Sequence, residues 1–143
     1  MNIVFFSESQ VRGQIPRDFE NARTEYSWMI ALDAPHYPLG TTCSVKYDLG
    51  IIIIPKSNPN VDLNHYRQFC DKVAIMQEGP HWFFQDYTIE NQFNYYSTLL
   101  DADWVYCHNE SDVSYYLGLG CKDVRVMRSL MIPEGLNPRS EWG

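Results

Sequence analysis

The chain has 143 residues, the size of one domain, and its 45% hydrophobic and 20% charged residues exclude a disordered or fibrous protein. A formal charge of −7 argues against a broad basic face, so nucleic acid is not an expected partner. No apolar run approaches the ~20 residues of a membrane helix, and the opening MNIVFFSES has no basic leader segment, so no membrane span is expected and a cytoplasmic location is.

The first element is an apolar run at the extreme start, strongest over Ile3 to Phe6, which suits a strand buried on both faces. Loop chemistry follows from Glu8 to Asn21, with Gly13 and Pro16. Thr24 opens the helical stretch TEYSWMIALDA, with Glu25 in its first turn, and Pro35 stops it. Two strand candidates come next, Thr42 to Val45 and Leu49 to Ile54. The second contains four isoleucines in a row and again predicts burial on both faces. Asp62 predicts a helix cap, with Leu63, Tyr66 and Phe69 as the apolar stripe and Cys70 near the helix end.

Val73 to Met76 is the core of the next strand, closed by the turn Gln77-Glu78-Gly79-Pro80. A helix from about Ile89 to Leu100 carries Phe93, Tyr96 and Leu99 at helical spacing. Val105 to Cys107 is a further strand. Asn109 or Ser111 then caps a helix through Val113, Tyr116 and Leu117 that ends on Gly118 and Gly120. Val124 to Met127 is the last strand. The tail, with two prolines and no periodicity, reads as a linker or free end over residues 133–143, which leaves residues 1–132 as the domain.

Strands alternating with helices predict parallel βαβ units and right-handed crossovers. The expected fold is a single α/β domain, a Rossmann-like three-layer sandwich with a mainly parallel sheet. Cys43, Cys70, Cys107 and Cys121 form no C-x-x-C pair, and the four histidines are scattered. Reduced, mostly buried thiols and no bound metal are therefore expected. Aromatic residues reach 15% of the chain, which fits either an aromatic core or a stacking surface for sugars or bases.

In an open parallel sheet, ligands sit beyond the carboxyl ends of the strands. That rule selects four loops: Ser7 to Asn21, Pro55 to Asn60, Gln77 to Asp86 and His108 to Asp112. None contains G-x-G-x-x-G, a phosphate-binding G-x-x-x-x-G-K-[ST] loop or a G-x-S-x-G elbow, so no nucleotide cofactor is expected. The run from Gln77 to Trp82 sets a carboxylate, a glycine, an imidazole and an indole directly after a strand. Glu78 could act as a base or bond a hydroxyl, and Trp82 could stack on a sugar ring. The plainer reading is a turn with a packed indole. At His108-Asn109-Glu110, free N–H groups at a helix start suit an anion or hydroxyl ligand, while the acidic residues equally suit the helix dipole.

Three runs carry a resemblance: N-x-R-T-E-x-x-W at Asn21 to Trp28, I-M-Q-E-G-P-x-W at Ile75 to Trp82 with F-Q-D-Y following, and C-H-N-E-S-D at Cys107 to Asp112. With the order of elements, they make nearly the whole chain resemble the N-terminal domain of GT-B-type glycosyltransferases, especially phage-encoded and marine viral relatives. The resemblance implies a hexosyltransferase-like enzyme of two Rossmann-like halves. The first half binds the acceptor, a carbohydrate or other hydroxyl compound. The second binds the sugar nucleotide. This chain has no second half, so it is expected to be a truncated acceptor-side domain, inactive alone, meeting a sugar nucleotide only with the missing C-terminal domain. The resemblance places Gly13, Gln77, Glu78, Gly79, His81, Trp82, Asn109 and Glu110 at the substrate. It leaves Glu78 and His108 as the catalytic candidates, with neither chosen. A homodimer could substitute for the missing half. The alternative is a non-catalytic α/β binding or interaction module that kept the fold.

Overall fold

The computed structural model describes residues 1–16, 24–55, 60–77 and 87–128. Among them lie six strands, β1 (Ile3–Ser7), β2 (His36–Pro38), β3 (Tyr47–Ile54), β4 (Cys70–Gln77), β5 (Trp104–Cys107) and β6 (Val124–Val126). Four α-helices accompany them: α1 (Thr24–Ala31), α2 (Leu63–Arg67), α3 (Ile89–Asp101) and α4 (Val113–Leu119). All six strands are parallel, in the order β2-β1-β3-β4-β5-β6. The chain is thus an α/β, Rossmann-like three-layer sandwich, wound outward from β1 in both directions.

The apolar runs form strands because both of their faces are covered. Along β1 and β3, Phe5, Leu49, Ile51 and Ile53 point to one face, where Tyr26 and Met29 of α1 meet them. Val4, Phe6, Ile52 and Ile54 point to the other, against Leu63, Tyr66, Tyr95, Leu99 and Tyr116 of α2, α3 and α4. Two-sided burial removes the polar alternation that marks a half-exposed strand.

Two expectations are corrected. Thr42 to Val45 is not a strand; it lies in the crossover from β2 to β3. The missing strand is His36–Pro38, beside β1, in register Phe5 to His36. Proline at a strand position is tolerable here because β2 is the edge strand and the outward-facing side of Pro38 needs no donor. His36, two residues earlier and facing the same way, instead exchanges both backbone bonds with Gly13, at 2.8 and 2.9 Å. Cys70 does not end a helix either. α2 stops at Arg67, and Cys70 opens β4 in register with Tyr47.

Two of the predicted caps form, at Asp62 and Gly120, whereas neither Asn109 nor Ser111 caps α4, which is preceded by Asp112 with no side-chain cap bond. Asp62 accepts from the Asn64 N–H at 3.0 Å, and Gly120 closes α4 at φ 109°. Asn109 precedes a 3₁₀ turn, Glu110–Asp112, that leads into α4. The tail assigned to residues 133–143 lies outside the described residues. All four cysteines are free thiols, three of them buried, and burial pushes the Cys70 thiol up to about 12.

Gly50 sits in the middle of β3, between Val4 and Val73. A Cβ at this position would lie 2.8 Å from Cys70 Sγ and 3.8 Å from Phe6 Cε2. Gly50→Ala is therefore expected to lose about 1–3 kcal/mol of stability through overpacking. In a Cys70→Ala background the sulfur is gone and most of that loss should vanish, a coupling that urea titration of the four proteins measures.

Candidate functional site: the crevice at the β1–β3 switch

The winding reverses between β1 and β3, since β1 leads to β2 on one side while β3 and its successors extend on the other. At such a switch the connecting segments diverge to opposite faces and leave a crevice beyond the strand ends. Here that crevice has a volume of about 500 Å³, within the roughly 300–1,000 Å³ of small-molecule sites. Glu8 and Gln10 follow β1, Leu39 and Gly40 follow β2, and Pro55 follows β3. Asn60 and Val61 precede α2, Asp62 caps it, and His65 and Tyr66 lie on it.

Two side chains of α2 tie its helix to the β2–β3 crossover. The Gly40 N–H donates to Tyr66 Oη at 2.9 Å, and His65 Nε2–H donates to the Thr41 carbonyl at 3.0 Å. A carbonyl only accepts, so Nε2 holds the proton and Nδ1 is an acceptor in the neutral ring. The His65 ring stands edge-on to Tyr66 and Phe69, with centroids 5.0 and 5.7 Å away, which fixes its orientation. Tyr66 lies on Phe6 at 4.8 Å. Burial raises the Tyr66 phenol and outweighs the lowering from the Gly40 bond, so its hydroxyl stays protonated and can donate.

A buried polar cluster holds the other wall. Ser7 and His36 are fully buried, with Ser7 Oγ 2.6 Å from His36 Nε2. His36 Nδ1 faces the Val11 carbonyl at 2.7 Å and must carry the proton, so the Ser7 hydroxyl donates to Nε2. Ser7 Oγ also accepts from the Ser9 N–H at 3.2 Å, and Ser9 Oγ meets Tyr26 Oη. A hydroxyl and an imidazole in this contact could form a nucleophile and base, but at 0% exposure neither reaches a substrate. Their work is to fix the loop after β1.

The residues singled out from sequence are dispersed. Gly13, at φ 79°, covers the outer edge of β2. Gln77 ends β4, paired with Ile54. His108, Asn109 and Glu110 lie together beyond β5, with β4 between that strand and β3. There His108 Nδ1 donates to the Met127 carbonyl at 3.1 Å, and exposed Glu110 pairs with Arg128. Glu78, Gly79, His81 and Trp82 lie outside the described residues. Sequence reasoning picked out the loops after β1 and β3 but missed His65, Tyr66 and Asp62. The available signal was the helix start that follows β3.

Among the described residues, no cluster of three or more His, Cys, Asp or Glu is arranged to hold a metal ion, and no helix is long and apolar enough to cross a membrane. Compared with protein-family models, curated proteins and solved structures, the chain matches none.

Proposed function

We propose that the switch-point crevice binds a neutral polyhydroxyl compound and that the domain is the acceptor-binding half of a sugar-nucleotide-dependent glycosyltransferase. The observation that carries this reading is the chemistry of the crevice lining. The two carboxylates of Glu8 and Asp62, the amides of Gln10 and Asn60, the His65 imidazole and the Tyr66 hydroxyl supply donors and acceptors. No described lining residue is lysine or arginine. A diphosphate needs cations or a cradle of N–H groups, whereas sugar hydroxyls pair well with carboxylates and amides. The lining favours an acceptor over a nucleotide donor, and the resemblance points the same way. The donor would bind on a second Rossmann-like half outside these 143 residues. Transfer requires both substrates in near-attack geometry, so the domain by itself is expected to bind without turnover.

Calorimetry with neutral mono- and disaccharides, sugar nucleotides and free nucleoside diphosphates tests this. At least one neutral saccharide should bind, with affinity lowered by Asn60→Ala and His65→Ala. No sugar nucleotide should bind more tightly than its free sugar. Tight nucleotide binding that survives both substitutions would reject the acceptor assignment.

A further inference from the structure

Helix α3 has two apolar faces, and among the described residues the core covers one of them fully and the other only at Tyr96. Tyr95, Thr98 and Leu99 are buried on the domain side. On the outer side Ile89, Phe93, Tyr96 and Leu100 recur at intervals of four, three and four residues, which at 100° per residue is a straight stripe along the helix. Ile89 is 87% exposed, Phe93 69% and Leu100 50%. Half-buried Tyr96 joins the stripe to α4 through Tyr115, with their hydroxyls 3.3 Å apart. A row of large exposed apolar side chains on one helix is the arrangement that helix-in-groove recognition uses.

Beside this stripe runs a groove of about 710 Å³, between α3 and the segment entering α2. Its lining includes the carboxylates of Asp62, Glu90 and Asp101 and no described basic residue. Asp101 is shared with Arg67 at 3.1 Å, and Asp62 accepts from the Asn64 N–H as the cap of α2. The charge pattern decides between occupants. A second copy on this face would bring a second acidic groove rim against the first, on molecules that each carry −7. A cationic segment meets no such repulsion.

We propose that this face docks a cationic amphipathic helix of a partner protein. The partner's apolar side covers Ile89, Phe93 and Leu100, and its lysines or arginines lie along the acidic groove.

The probe is a fluorescein-labelled 18-residue helical peptide of leucine and lysine, with the leucines on one face, read by anisotropy at physiological salt. Binding should weaken roughly tenfold or more in Ile89→Ser/Phe93→Ser protein. It should be unchanged in Leu117→Ser, an exposed leucine of α4 off the stripe. Hydrogen exchange should show protection over residues 89–101 on binding, and a leucine–glutamate peptide should not bind. Equal affinity for the stripe variant and wild type would overturn the proposal, as would protection on another face. So would a dimer of the free protein that Phe93→Ser abolishes, because a second copy would then be the occupant.

Discussion

Phe6→Ala is expected to remove about 3–5 kcal/mol of folding stability, a large part of the roughly 5–15 kcal/mol available to a domain of this size. Phe6 is fully buried near the end of β1 and touches three aromatic rings, those of Tyr37, Tyr66 and Phe69, at centroid distances of 6.4, 4.8 and 5.9 Å. Three rings from β2, α2 and the segment after α2 cannot all collapse into the space left by a fourth. The loss should therefore include a cavity contribution beyond simple transfer. Phe6→Leu keeps most of the volume and should lose about 1.5 kcal/mol or less. Urea denaturation gives both values. A loss below about 1 kcal/mol for alanine would mean that this aromatic cluster does not pack as described.

His36→Ala should lose about 3 kcal/mol, because it removes at once the acceptor of the buried Ser7 hydroxyl and the donor to the part-buried Val11 carbonyl. Ser7→Ala alone should lose less, since His36 Nδ1 still bonds Val11. The double variant should be less destabilised than the sum of the two by about 1 kcal/mol or more, because only one bond joins the pair. Strict additivity in thermal melts would show that the hydroxyl and imidazole do not act as a unit.

The architecture was legible wherever a strand is covered on both faces. Ile51 to Ile54 and Val73 to Met76 could be placed from apolar, β-branched composition alone. β2 was not legible, because three residues reading His-Tyr-Pro between two turns have no periodicity, and pairing with β1 is what makes them a strand. That small error hid the crevice. The crevice depends on β1 and β3 being neighbours with β2 outside them, and no local pattern states which strands are adjacent. The loops richest in reactive side chains, after β4 and β5, outweigh it in any reading of local pattern. Tyr66 and His65 sit on a short helix where a tyrosine at a stripe position reads only as core. Their role comes from Gly40 and Thr41, brought near by a crossover that carries no motif.

The most direct test of the account is to follow backbone amide NMR shifts while titrating a neutral disaccharide selected by calorimetry. The crevice assignment predicts that the largest changes fall on Glu8, Gln10, Gly40, Asn60 and His65, with His108, Asn109 and Glu110 unmoved. It also predicts that His65→Ala removes the response. Saturating changes centred on His108 to Asp112, with Gly40 and His65 unmoved, would contradict it and place the ligand at the end of β5.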